Sequence, residues 1–73
     1  MDKEKLYKIF GNNIQKFRQE RNMTTKKLSK LTGIRVQYLN KIETGKACRI
    51  NTRYVFIFAK AFNMKPEEIV KGI

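Results

Sequence analysis

The chain has 73 residues, 41% of them hydrophobic, and seventeen lysines and arginines against six acidic residues give a net charge of +11. This length predicts one small domain, residues 1–73, and the hydrophobic content is too high for a disordered basic tail. With no histidine and one cysteine, the sequence offers no disulfide framework, metal site or catalytic triad, so neither an enzyme nor a cofactor is expected. The charge favours a polyanionic partner, nucleic acid before an anionic membrane surface.

The sequence carries no apolar run long enough to span a bilayer, and its charged N-terminal residues do not have the pattern of a secretory signal peptide. The single cysteine, Cys48, fits a reducing compartment and is expected to be an ordinary loop residue. We therefore expect a cytoplasmic protein with no membrane partner and, since the chain has room for no ligand domain, no small-molecule ligand.

Apolar spacing predicts that the chain begins with an amphipathic helix from about Lys3 to Arg21. Asp2 is its expected N-cap, and Asn22 its expected end because asparagine tolerates the left-handed conformation. Gly11 lowers the stability of this helix by about 1 kcal/mol relative to alanine. A close crossing with another helix would offset that cost, and a kink is the alternative. The side chains expected in the core are Leu6, Phe10, Ile14 and Phe17.

A second, shorter helix is expected after Thr24, whose hydroxyl would cap it. Leu28 and Leu31 are expected to face the core, with the lysines of this helix facing water. Gly33 supplies the positive φ that a sharp turn requires, and Ile34 is expected to fill the corner.

The third helix is expected from about Val36 to Thr44, ended by Gly45, with Leu39 and Ile42 facing inward. A pair of short helices joined by a tight glycine turn is typical of proteins that present a helix to the DNA major groove. The stretch from residue 24 to residue 53 contains eight basic residues and one acid. Positive charge is therefore concentrated on this helix pair and its flanks.

A fourth helix is expected to begin after a cap at residue 51 or 52 and to end at Phe62. Apolar residues occupy nearly all of its circumference. Tyr54 and Ile57 lie outside the stripe suited to the core. Either the helix is central and buried, or this second stripe contacts another molecule, most simply a second copy of the chain. The core stripe comprises Val55, Phe58, Ala59 and Phe62.

Pro66 is expected to begin a short fifth helix that carries Ile69 and Val70. The sequence shows no strand pattern and no internal repeat. The expected architecture is therefore all-α, with five helices in one domain.

The joint spacing of these residues resembles the lambda repressor/Cro-type helix-turn-helix domain, a class that includes small bacterial and phage regulators. The resemblance extends from about Phe10 to Ile69 and implies a five-helix domain that binds double-stranded DNA. The residues that carry it are Ile14, Phe17, Arg18, Met23, Thr24, Leu28, Leu31, Gly33, Ile34, Tyr38, Leu39, Ile42, Glu43, Gly45, Lys46, Ala59, Lys60, Ala61 and Phe62.

The resemblance implies that the third helix reads bases. Gln37 suits a bidentate contact with adenine, Lys41 suits guanine, and Val36 suits a thymine methyl group. For each of these residues, a solvated helix surface is the alternative. The implied base-contact residues are Arg35, Val36, Gln37, Asn40 and Lys41.

The resemblance also implies phosphate contacts at the start of the second helix and in the turn after the third. It further implies that Arg18 and Glu43 form a structural pair that fixes the third helix against the first, with a free surface acid as the alternative. The implied phosphate-contact residues are Thr24, Thr25, Lys26, Thr44, Gly45 and Lys46.

Three positions depart from the family pattern. Thr25 stands where many relatives have a longer glutamine, and Arg35 replaces the usual capping serine or threonine, which removes a cap worth about 1 kcal/mol. The loop Ala47–Ile50 lacks the frequent proline.

The sequence therefore favours a sequence-specific transcriptional regulator that binds double-stranded DNA as a homodimer on a two-fold-related operator. The alternative is a protein-interaction module, such as an antitoxin or adaptor, that uses the apolar fourth helix. A basic helix on an anionic membrane is disfavoured because every helix has an inward apolar stripe. The sequence does not distinguish among phage, mobile-element and restriction-modification regulators, nor between an activator and a repressor.

Overall fold

The computed structural model describes residues 3–46 and 51–72, which contain five α-helices and no strand. The all-helical architecture is confirmed, and the expected helix bounds agree with the structure to within about one residue. The expected cap Asp2 and the loop residue Cys48 lie outside the described residues. The helices are α1 (Lys3–Glu20), α2 (Thr25–Thr32), α3 (Val36–Glu43), α4 (Thr52–Phe62) and α5 (Pro66–Ile69).

The helix ends follow local side-chain chemistry. The Thr24 hydroxyl accepts a hydrogen bond from the Lys27 N–H at 3.1 Å and thereby caps α2. Gly33 ends α2 with φ of 76°, and Asn22 and Asn63 end α1 and α4 in the left-handed region. The predicted cap at Thr24 and the predicted stops at Gly33 and Asn22 are confirmed.

All five helices contribute to one core, in which seven side chains are fully buried. Phe10 meets Phe58 edge to face, with ring centroids 5.9 Å apart. The short helix α5 is held by buried Ile69 and by Asn13, whose side-chain amide donates to the Ile69 carbonyl at 3.1 Å. The fully buried side chains are Phe10, Ile14, Leu28, Leu39, Ile42, Phe58 and Ile69.

The inward orientation predicted for Leu31 is wrong, because this side chain is 47% exposed. Leu28 alone of the two α2 leucines reaches the core. Leu31 lies at the rim of the contact between α2 and α4, beside a surface hollow that Ile57 and Ala61 also line. The sequence also gave no warning that Phe56 would be 60% exposed on α4.

The close helix crossing predicted at Gly11 is confirmed. A Cβ atom at this position would overlap the carbonyl oxygen of Ile42 and lie 3.2 Å from the carbonyl carbon of Glu43. The backbones of α1 and α3 therefore touch directly, and only glycine permits the contact. This crossing places the C-terminal end of α3 against α1. No helix in the described part of the chain is long and apolar enough to cross a membrane.

Candidate DNA interface

Helix α3 has one buried side and one exposed side. Leu39, Ile42 and Glu43 are buried, whereas Gln37 and Lys41 are exposed on the opposite side. Asn40 and Thr44 are exposed there too, and Arg35 is exposed just before the helix, while Val36 is half-buried. The structure thus brings Gln37, Asn40 and Lys41 together on one exposed side of α3, with Arg35 and half-buried Val36 at its start, and the contact of all five with DNA stays a prediction.

The turn between α2 and α3 is held by hydrogen bonds that set the start of α3. The Ser29 hydroxyl donates to the Ile34 carbonyl at 2.6 Å, and the Ile34 N–H donates to the Thr32 hydroxyl at 3.1 Å. Ile34 is buried, as expected, in the corner. Arg35 makes no capping bond with its side chain, as the sequence indicated. The first turn of α3 is therefore positioned by the preceding turn rather than by a cap.

Arg18 connects the end of α3 to Met23, in the turn between α1 and α2. Its Nε donates to Glu43 Oε2 at 2.8 Å, and its Nη2 donates to Glu43 Oε1 at 3.0 Å. Its Nη1 donates to the Met23 carbonyl oxygen at 2.8 Å. The side chains of Arg18 and Glu43 are only 15% and 5% exposed. Because both carboxylate oxygens are engaged in this bidentate contact, Glu43 presents no free negative charge beside the exposed side of α3.

The N-terminal end of α2 offers backbone donors. The Thr24 carbonyl accepts from the Leu28 N–H at 3.0 Å, and the Thr24 hydroxyl accepts from Lys27. The N–H groups of Thr25 and Lys26 belong to the first helical turn, which has no intrahelical acceptor for them. They point out of the positive end of the helix dipole, an arrangement that suits a phosphate.

The turn after α3 differs, because its backbone donors are already used. The N–H groups of Thr44, Gly45 and Lys46 donate to the carbonyls of Asn40, Ile42 and Lys41, at 3.1, 3.1 and 2.8 Å. The Thr44 hydroxyl also donates to the Asn40 carbonyl, at 2.8 Å. A phosphate contact from this turn therefore depends on the exposed side chain of Lys46, and the predicted contacts at Thr44 and Gly45 have no unused backbone donor to support them.

A hollow between α3 and α4 was not foreseen from the sequence. Its volume is about 480 Å³, and Arg35, Arg53 and Tyr38 line it together with Tyr54 and Ile57. The rings of Tyr38 and Tyr54 are in contact at its wall, with centroids 5.9 Å apart. The sequence signal that bore on this hollow was the position of Tyr54 and Ile57 outside the core stripe of the fourth helix. Tyr54 and Ile57, the predicted dimer face, are half-buried and also pack against the core.

The described residues contain no group of three or more histidine, cysteine, aspartate or glutamate side chains that could hold a metal ion. Only six acidic residues occur in the whole sequence. The side chains on the exposed side of α3 and just before it are the cations of Arg35 and Lys41, the amides of Gln37 and Asn40, and the Thr44 hydroxyl.

Comparison with known proteins identifies a family and solved structures with a similar fold. A family model described as the Cro/C1-type helix-turn-helix DNA-binding domain matches residues 13–73. The fold is similar to the crystal structure of the restriction-modification controller protein C.AhdI from Aeromonas hydrophila, with a TM-score of 0.80 and 21% sequence identity. That similarity covers 86% of this chain and 94% of the C.AhdI chain. No curated protein sequence matches significantly.

Proposed function

The chain belongs to the Cro/C1-type helix-turn-helix DNA-binding domain family, and on that premise we propose a sequence-specific transcriptional regulator that binds double-stranded DNA. It would be non-enzymatic and would act by occupying its operator. The likeness to a restriction-modification controller protein supports a regulatory role.

The observation that carries this proposal is the exposed side of α3. Gln37 and Lys41 lie one turn apart there, and the adjoining acid Glu43 is neutralised by Arg18. An amide that addresses adenine and an ammonium group that addresses guanine form a surface able to discriminate between base pairs. Val36, half-buried at the start of the helix, would make an apolar contact with a thymine methyl group.

Phosphate contacts would orient α3 in the groove. The open amides at Thr25 and Lys26, together with the Lys26 side chain, would bind one phosphate region. The Lys46 side chain would bind another at the far end of α3. Such contacts carry no sequence information, but they fix the register of the reading helix.

We propose that two copies bind together on a two-fold-related operator, with half-sites about one helical turn apart. One α3 helix offers few base contacts, so a pair of them is needed for specific affinity. The apolar side chains of Tyr54 and Ile57 are the proposed dimer face. Leu31, which is 47% exposed beside Ile57, extends that apolar surface onto α2.

A fluorescence-anisotropy titration tests the function. The wild-type protein should bind random duplex DNA with an affinity that falls steeply with salt, and should bind a duplex selected from a random pool more tightly. Gln37→Ala should weaken the selected complex by about 1–3 kcal/mol while leaving binding to random DNA nearly unchanged, because it removes a base contact. Lys65→Gln, just before α5, is the control for a general loss of charge. Absence of salt-dependent binding by the wild type would contradict the proposal.

The protein-interaction alternative rests on the apolar residues that α4 exposes, Phe56 above all, which is 60% exposed. An adaptor or antitoxin would use that surface on a different protein, and the helix-turn-helix would serve as a scaffold. The same titration separates the two functions, because an adaptor of this kind would show no preference for the selected duplex.

A further inference from the structure

We propose that α1 carries an additional binding surface for the DNA backbone, formed by Lys8, Asn12 and Gln15, which we term the α1 polar stripe. This inference rests on the proposed DNA-binding function and adds a contact that the helix-turn-helix itself does not provide. The three residues are spaced by four and three positions and so lie on one side of α1. Together with Glu43 and Thr44 they line a hollow of about 390 Å³.

The α1 polar stripe adjoins the surface of α3 that is proposed to face DNA. Thr44, which lines the hollow, follows Gln37 by seven residues and lies on the same exposed side of α3. Lys8 lies against the turn after α3, because a Cβ at Gly45 would come within 2.8 Å of the Lys8 Cγ. The stripe, the end of α3 and Lys46 therefore form one continuous surface.

The length of α3 places this surface at the rim of the major groove. Seven residues of helix advance about 10 Å, and the major groove is about 12 Å wide. The N-terminal residues of a recognition helix contact base edges. Its C-terminal end then lies close to the phosphates that border the groove, next to the α1 polar stripe.

The chemistry of the hollow selects an anion. An ammonium group and two side-chain amides line it, whereas the Thr44 hydroxyl already donates to the Asn40 carbonyl. Its one carboxylate, on Glu43, is engaged by Arg18 through both oxygens. Glu4 precedes Lys8 by one turn, but an exposed ion pair of that spacing competes only weakly with a phosphate contact. The structural alternative is that Lys8 only offsets the negative end of the α3 dipole, in which case it would affect stability and not DNA binding.

The salt dependence of binding distinguishes these roles. Three variants that each lower the net charge by one are compared with wild type by anisotropy on random duplex DNA: Lys8→Gln, Gln15→Glu and Lys16→Gln. Lys16 is the control because it is an exposed lysine of the same helix that does not line the hollow, and it lies about 80° around α1 from Lys8. Thermal unfolding of each variant is measured in parallel.

Lys8→Gln should lower the slope of log K against log salt concentration by about 1 for each bound protomer. Gln15→Glu, which places a carboxylate in the hollow, should weaken binding at least as much, and Lys16→Gln should leave the slope near the wild-type value. Equal slopes for Lys8→Gln, Gln15→Glu and Lys16→Gln, in a wild-type protein that does bind DNA, would overturn the α1 surface and leave the proposed function standing. If the wild-type protein showed no salt-dependent binding to DNA, that result would instead contradict the proposed function itself.

Discussion

Helix α3 meets very different environments on its two sides. On the side of α1, the two backbones touch at Gly11 and a bidentate ion pair joins Arg18 to Glu43. On the side of α4, the Tyr38 and Tyr54 rings are in contact, with centroids 5.9 Å apart, and an open hollow of about 480 Å³ lies beside them. The exposed side of α3 is therefore oriented mainly from α1 and α2, and the α4 side has a solvent-open hollow.

The strongest way to disturb the α1 side is Gly11→Ala. The added methyl group would overlap the Ile42 carbonyl, so the helices must separate, and we expect a loss of about 3 kcal/mol in the free energy of unfolding. For a domain of this size that corresponds to a fall of about 12–24 °C in the melting temperature, measured by circular dichroism. Gly33→Ala is the control, because its added Cβ has open space and only the positive φ opposes it.

Alanine is a better helix former than glycine by about 1 kcal/mol. An unchanged or higher melting temperature for Gly11→Ala would therefore show that α1 and α3 are not locked together, and the contrast between the two sides of α3 would be lost.

The second prediction concerns the ion pair. Arg18→Ala leaves the Glu43 carboxylate buried without a partner, which should cost about 3 kcal/mol of stability and also weaken DNA binding. Arg21→Ala is the matched control on the same helix, because that guanidinium is more exposed and lies over the Phe62 ring at 5.2 Å, a contact worth about 0.5–1 kcal/mol. Thermal unfolding and anisotropy are measured on both variants.

If Arg18→Ala lowered DNA affinity without changing the melting temperature, Arg18 would act as a direct DNA contact, and its proposed structural role would be wrong. Replacing both partners, as in Arg18→Leu with Glu43→Leu, should recover part of the lost stability because no charge is then left buried.

The smallest expected effect on folding comes from the α4 side. Ile57→Glu changes a half-buried residue at the edge of the hollow, and we expect a loss of about 1 kcal/mol in stability. If Tyr54 and Ile57 form the dimer face, light scattering should show the mass of a dimer for wild type and of a monomer for this variant. Phe56→Glu is the control on the same helix. A monomer produced by Phe56→Glu instead would move the interface to the other side of α4.

Local patterns were sufficient for the helices and their ends. Thr24, Gly33 and Asn22 act through their own backbone and side-chain chemistry, so their roles follow from residue type and position. The glycine at Gly11 signalled a close crossing because its cost to α1 required compensation. For Leu31, reasoning from spacing within the helix wrongly predicted burial. Whether this side chain is buried depends on how far α4 extends over α2, and spacing within one helix carries no information about that.

The sequence by itself therefore determined five helices, the tight turn before α3 and the concentration of positive charge around that turn. Only the tertiary structure decided which donors remain available. It shows that the backbone amides after α3 are used internally, and it places Lys8 of α1 beside Gly45, far away along the chain. The physical reason is that helix formation depends on neighbours within a few positions, whereas a binding surface depends on how separate helices pack together.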